Sequence, residues 1–160
     1  MHVSSKNVKL KGVLQTNCLT FINKRQKTYT ALGKDSLRFL QGMCTADLRR
    51  ALDNARKNSH FAGATHGYFL NLKGKILSPS NFCVVSEEKV IFTLAEAHAE
   101  STLAALNRLI VADDVEVNPL NDWQAYEVIG SAFNTKNESL KYPHPVTCAV
   151  DTAWQVEKHS

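Results

Sequence analysis

The sequence predicts an α+β fold in which an antiparallel sheet carries helices on one face. Two observations lead there. Residues 59–94 hold short apolar runs cut by turn signals, the pattern of strands and hairpins. Two other stretches, 36–48 and 95–110, carry apolar residues at steps of three and four, the spacing of one helical face. Their order, with hairpins first, then a helix, then two strands, fits helices packed on a sheet better than alternating β and α units.

The central stretch is Leu32-Gly33-Lys34-Asp35-Ser36, followed by Leu37 to Leu48. It reads as a strand end over 27–34, a turn and a helix. Asp35 or Ser36 is a candidate N-cap, accepting bonds from free N–H groups of the first turn. Leu37, Leu40, Cys44 and Leu48 share a face. Gly42 costs about 1 kcal/mol relative to alanine inside a helix, so a break or a close backbone approach is expected there. Thr45 then caps a second short helix, with Asp47 in its first turn where a carboxylate suits the dipole. Arg49 to Asn58 follows as a helix tail or polar loop, with four basic groups in nine positions that either touch phosphates or form a solvated face.

Further on, Phe61 to Ala64 and Tyr68 to Leu72 run into a Lys73-Gly74-Lys75 hairpin turn, and Ile76-Leu77 resumes the strand. Phe82 to Val85 and Val90 to Leu94 flank a turn at Ser86 to Lys89. Thr93-Leu94-Ala95-Glu96 has the form of a capping box opening a helix to about Val111, with Ala99, Leu103, Leu106 and Ile110 as its buried stripe. Val115 to Val117 is a short strand, Asn118 to Asp122 a chain break, and Trp123 to Ile129 a further strand. Asp113, Asp114 and Glu116 read as a solvated strand edge. Residues 131–141 are polar loop, 142–145 are extended by prolines, and Val146 to Val150 and Ala153 to Val156 are closing strands. At the N-terminus, residues 1–34 hold seven Lys or Arg and no acid. They read either as a transit segment or as strands with a lysine face at Val8 to Leu14 and Leu19 to Phe21.

With 160 residues, 44% hydrophobic and 21% charged, the chain can build a real core. A net charge of +4 favours anionic ligands without demanding nucleic acid. Cys18, Cys44, Cys83 and Cys148 form no C-x-x-C pair and are expected as free thiols in a reducing compartment. Cys44 reads as a packed thiol, or as a reactive one if Arg49 and Arg50 lower its pKa. No apolar run reaches the ~20 residues of a membrane helix, and no secretory segment is expected. His60 and His66 lack a neighbouring Cys or carboxylate to complete a zinc pattern, and Gly67 to Lys75 departs from phosphate-loop spacing. No metal is expected.

The pattern G-x-D-S-x-x-F-L-Q-G-x-x-T-x-D, carried by Gly33, Asp35, Ser36, Phe39, Leu40, Gln41, Gly42, Thr45 and Asp47 after Leu32, resembles the opening of the YgfZ/GcvT folate-binding family. That family contains aminomethyltransferases and the YgfZ-type proteins of iron–sulfur enzyme maturation. The resemblance continues through Lys73 to Leu77, Phe82 to Leu94, the 95–110 helix and Ala112 to Val117, and so covers residues 28–130. It implies a GcvT/YgfZ N-terminal-like domain over 1–130, with 131–160 as the loop and closing strands of the same domain. It also implies a tetrahydrofolate ligand, iron–sulfur assembly proteins as partners, and a location in the cytoplasm, or in the mitochondrial matrix of a eukaryote.

Two departures shape the functional expectation. The family's Lys-Gly-Cys segment is missing, since no cysteine here follows Lys-Gly. A fragment, a reduced relative or a homodimer that rebuilds the ligand channel all fit that absence. The acidic pair of aminomethyltransferases, which would bind folate nitrogens and move protons, aligns with Ser78 and Pro79. The expectation is therefore a non-catalytic YgfZ-like protein binding a tetrahydrofolate species or serving iron–sulfur protein maturation. The alternatives are a fold-retaining interaction domain and, more weakly, a one-carbon transferase. Candidate ligand contacts are Lys73 and Lys75 for a glutamate tail, Tyr68 for an aromatic ring, and Gln41-Gly42 for backbone approach.

Overall fold

The computed structural model describes residues 19–22, 24–57, 60, 62–121, 123–129, 146–148 and 154–158. The chain is α+β, with two antiparallel sheets among these residues. In chain order the elements are β1 (Leu19–Ile22), β2 (Gln26–Leu32), α1 (Ser36–Met43), α2 (Leu48–Lys57), β3 (Gly63–Leu70), β4 (Ile76–Ser86), β5 (Lys89–Ala95) and α3 (Glu96–Asn107), then β6 (Glu116–Pro119), β7 (Trp123–Ile129), β8 (Val146–Cys148) and β9 (Trp154–Lys158). The larger sheet runs β3-β4-β5-β2-β6 and the smaller β1-β7-β9-β8. The expected strands at Val8 to Leu14, the loop at 131–141 and the extended 142–145 lie outside the described residues.

Period-two alternation decides which face of the larger sheet is which. Phe69, Phe82, Val84, Val90, Phe92, Leu94, Tyr29 and Ala31 point to one face and meet Leu37, Leu40, Leu48, Leu52, Ala99 and Leu106 of the helices. At the centre the Phe69 ring packs edge-on against Phe82 and Phe92, with centroids 5.3 Å apart in both cases, and Tyr29 stacks on Phe92 at 5.8 Å. Each such ring, fully buried, contributes about 1.5–3 kcal/mol of transfer free energy. On the opposite face Ala62, Cys83 and Ile91 form a smaller cluster against Leu120 and Trp123, where the chain crosses toward β7.

Several local expectations are corrected. The single face through Leu37, Leu40, Cys44 and Leu48 is split, because α1 stops at Met43 and Leu48 opens α2. Neither Asp35 nor Ser36 caps α1: Asp35 makes no capping bond, and the buried Ser36 hydroxyl has no partner among the described residues. The cap of α2 comes from Asp47, whose Oδ1 accepts from Arg50 N at 3.0 Å, and not from Thr45. The Thr93–Glu96 capping box is not formed. Pairing with β2 in the register Thr28↔Thr93 and Gln26↔Ala95 carries β5 two residues further than the box allows. The first N–H groups of α3 are met from other elements, Ala95 N by Ser78 Oγ at 3.2 Å and Glu96 N by Arg25 O at 2.7 Å.

Asn118 and Pro119, expected to break the chain, pair with Thr30 and Tyr29 in β6. β6 is a sheet edge, where a proline's missing N–H costs no ladder bond. The α3 stripe keeps Ala99 and Leu106 buried, adds Thr102, and leaves Leu103 half-buried; the helix ends at Asn107 and not near Val111, so Ile110 packs half-buried against the core from beyond it.

Gly63 is required by the packing of α2 on β3. A methyl group there would fall on the carbonyl of Ala51. Gly63→Ala should therefore destabilise the protein by about 1–3 kcal/mol, the usual cost of overpacking, read as a lower urea midpoint at unchanged m-value. Gly42 faces open space, so Gly42→Ala should raise stability by about 0.5–1 kcal/mol in the same assay.

Candidate functional site

The sequence-derived candidates fall around the outer end of β3 and the hairpin that follows it. Their framework is the turn between α1 and α2. Thr45 N donates to Tyr68 O at 3.0 Å, and Thr45 Oγ1 accepts from Tyr68 N at 3.0 Å. Cys44 bridges to Phe69 in the same antiparallel sense. Residues 44–45 thus act as a short extra strand on the edge of the sheet. Gly67 makes room for them, since a Cβ there would lie 2.9 Å from Ala46 and from Thr45 Oγ1.

Gln41 holds that turn together. Its Oε1 accepts from Leu48 N at 2.8 Å and Arg49 N at 3.2 Å, and its Nε2 donates to Ala46 O at 3.1 Å. All three bonds are internal, so the amide is committed to closing the turn and capping α2. Gly42, next to it, is exposed, and a methyl group added there would meet no heavy atom within 4 Å; of the two expectations for this glycine the structure has the break, since α1 stops at Met43. Tyr68 presents its ring on the outer face of β3, 45% exposed.

The turn at the end of the β3–β4 hairpin is organised by Asn71. Its Oδ1 accepts from Lys73 N at 2.9 Å and Lys75 N at 3.0 Å, while its backbone pairs with Lys75 and Gly74. Both lysines are exposed. Lys75 lies four residues from Pro79, the partner of Tyr68 in the ladder, which is about 13 Å along a strand. Tyr68, Lys73 and Lys75 therefore share one hairpin with the lysines further out, while Gln41 and Gly42 belong to the α1–α2 turn, which reaches β3 through Thr45. Leu72 and Ile76 beside them are 83% and 62% exposed, an apolar feature that strand alternation alone does not reveal.

Ser78 and Pro79 occupy one end of β4. The registered pairing of β4 with β5 runs from Phe82 to Ser86, so Pro79 falls beyond it. Side chains take over there. Ser78 Oγ accepts from Ala95 N and donates to Pro79 O at 2.9 Å. Ser80 Oγ donates to Thr93 O at 2.6 Å, and Thr93 Oγ1 accepts from Asn81 N at 3.3 Å. Ser78 is fully buried. Its hydroxyl joins two strands and the start of a helix and has no open side toward a ligand.

Three other features complete the electrostatics. Asp35 Oδ2 accepts from Asp114 N at 3.0 Å while Arg38 bonds both Asp35 and Asp113. That backbone N–H, then the Arg38 guanidinium, hold the Asp35 carboxyl below its usual range. Asp113 and Asp114 are thus joined to the start of α1 and are not simply a solvated edge. Burial pushes the Cys44 thiol up to about 11, against a smaller opposing effect of its bond to Ala46 O. No group of three or more His, Cys, Asp or Glu side chains among the described residues is placed to hold a metal. No described helix is long and apolar enough to cross a membrane.

The fold just described is similar to the crystal structure of glycine cleavage system aminomethyltransferase T from Bartonella henselae, with a TM-score of 0.61 and 17% identity. The chain has an aminomethyltransferase-T-like fold. The likeness covers 77% of this chain and 32% of that one, so the chain spans about a third of that protein's length. No family model matches the sequence, and no curated protein matches it.

Gln41→Ala should cost about 1–2 kcal/mol, because it leaves the Leu48 and Arg49 N–H groups without their acceptor; chemical denaturation measures it. With its thiol raised to about 11, Cys44 should resist alkylation between pH 7 and 9, whereas unfolding should bring its rate to that of a free cysteine. Site-resolved mass spectrometry after timed iodoacetamide exposure reads the difference.

Proposed function

We propose that this protein binds a tetrahydrofolate species without catalysing one-carbon transfer, in the manner of a YgfZ-type protein. The pterin or benzoyl ring lies against Tyr68, and the anionic glutamate tail reaches toward Lys73 and Lys75. The observation that carries this reading is an exposed aromatic ring and two exposed lysines on one hairpin of an aminomethyltransferase-T-like fold. An aromatic face suits a flat heterocycle, and ammonium groups suit carboxylates. The Ser78 environment supports the absence of catalysis: the position aligned with the family's acid holds a buried hydroxyl with both its bonds made inside the protein. Gln41 takes no part in binding on this reading, since its amide is engaged by the turn, and Gly42 contributes only open space. Iron–sulfur assembly proteins would be the partners that such a complex serves, and a homodimer would enclose more of the ligand.

A second reading rests on Leu72 and Ile76. Two large apolar side chains exposed at the hairpin tip suit contact with another protein. On that reading the fold is kept and the folate site is not.

Calorimetric titration of the full chain with 5-formyltetrahydrofolate, alongside light scattering, separates the two. Micromolar binding that falls about tenfold in Tyr68→Ala, and weakens with salt through Lys73 and Lys75, is the expected result. No heat up to millimolar ligand would reject folate binding and leave the interaction reading. Release of methylene-tetrahydrofolate from an aminomethyl donor above the blank rate would overturn the non-catalytic assignment.

A further inference from the structure

A cleft of about 330 Å³ opens where the start of α1, one side of α2 and the β4–β5 turn meet. It lies apart from the β3–β4 hairpin tip. Lys34, Arg38, Arg49 and Arg56 line it, with two carboxylates, Asp53 and Glu87, and an apolar floor of Leu37 and Leu52. Three of the four cations are already matched by carboxylates, Lys34 by Asp114, Arg38 by Asp35 and Asp113, and Arg56 by Glu87. Its walls are tied together through the backbone, as Leu37 N donates to Glu87 O at 3.0 Å and Gly33 N to Glu88 O at 3.1 Å.

The cations are not equivalent. Arg56 is paired with Glu87 at 3.1 Å, which neutralises that carboxylate and fixes the guanidinium. Arg38 is held by Asp35 and Asp113, and Lys34 lies 3.8 Å from Asp114. The Arg49 side chain makes no ion pair or hydrogen bond among the described residues, although its backbone N–H is engaged by Gln41. Asp53, one helical turn after Arg49, likewise makes no ion pair there. The cleft therefore combines two pre-oriented guanidiniums, an uncommitted third, and an uncommitted acceptor.

We propose that this cleft binds a small phosphate monoester, with Arg49 as the principal new contact and Asp53 accepting a hydrogen bond from a hydroxyl or ammonium group on the ligand's organic part. Among the described residues Arg49 supplies the lining's one unmatched cation, and its guanidinium fork, with those of Arg38 and Arg56 beside it, suits phosphate oxygens. Asp53 disfavours a second anionic group and favours a donor. The volume lies at the low end of small-molecule sites, which fits a compact ester and not a polymer. Leu37 and Leu52 leave room for its carbon skeleton.

The test titrates the full chain with inorganic phosphate and with glycerol phosphate at low ionic strength, followed by amide chemical shifts and calorimetry. Saturable shifts centred on residues 34–38 and 49–56 are expected, with glycerol phosphate binding more tightly than phosphate. Arg49→Gln should weaken both by about tenfold without changing the thermal midpoint, while Lys89→Gln, an equal charge change on an exposed lysine, should leave both as they are. Asp53→Asn should strengthen phosphate binding and reduce the preference for the ester. The proposal is overturned by absence of saturation up to about 10 mM, tenfold above a millimolar dissociation constant. It is equally overturned by wild-type affinity in Arg49→Gln, or by shifts centred on Lys73 and Lys75 instead.

Discussion

The docking of the α1–α2 turn onto the edge of β3 is the constraint on which the rest of this structure depends. Two reciprocal hydrogen bonds between Thr45 and Tyr68 fix the register of that contact. The Gln41 amide then sets the direction in which α2 leaves it. Given that direction, Leu48, Ala51, Leu52 and Ala55 can lie on the sheet only if β3 offers small residues beneath them. Gly63 does so beneath Ala51 and Leu52, and Gly67, four residues on and on the same face, makes the matching room for Thr45 and Ala46 of the turn. The turn also covers part of an edge strand that would otherwise present unpaired backbone groups. The same contact leaves the Tyr68 ring on the outer face, so the packing of the core and the presentation of the candidate ligand surface have one cause.

A second constraint acts where β4 passes Pro79. Beyond Phe82 the β4–β5 backbone ladder is not continued, and three hydroxyl side chains bridge the gap. A buried hydroxyl must find a partner or cost about 1–3 kcal/mol, and here Ser78, Ser80 and Thr93 each find one. Such an arrangement has little tolerance for a carboxylate at 78. A carboxylate would have to be desolvated beside a carbonyl, which disfavours the charged form. The absence of an acid at this position and the local structure of the sheet therefore go together.

The sequence made the larger elements legible because their patterns are strong. The alternation in 82–94 and the helical spacing in 96–106 each reflect a sheet with one face on a core, and both survive in the structure. The strand–turn–helix at 27–43 was legible for the same reason. The caps were not. Thr93 and Glu96 fit a capping box locally, but two further β2–β5 pairs outweigh one side-chain cap, and an acceptor 17 positions away, Ser78 Oγ, meets the Ala95 N–H instead. Asn118-Pro119 carries a turn signal that holds in isolation and fails on an edge strand. Gln41 drew attention as a candidate ligand contact, whereas its structural task was not legible: its bonds run to residues five to eight positions on, across a turn whose geometry no periodicity encodes. The cleft between α1, α2 and the β4–β5 turn was least legible of all, since its cations come from residues 34 to 56 and its closing carboxylate from 87.

That last case shows how the protein divides its positive charge. Along the chain, Arg49, Arg50, Arg56 and Lys57 form one solvated basic run. In the structure they have different tasks, because the helix turns them through 100° per residue. Arg56 is spent on Glu87 and fixes the β4–β5 turn, as Arg38 is spent on Asp35 and Asp113 and fixes the 113–114 loop. Ion pairs this exposed contribute little to stability, but each holds a long side chain in one orientation. A ligand meeting a guanidinium already oriented loses less rotational freedom on binding than one meeting a free chain. The pairs around the cleft are thus better understood as positioning devices than as staples, and Arg49, which no described side chain holds, is the group whose partner the fold leaves to be supplied from outside.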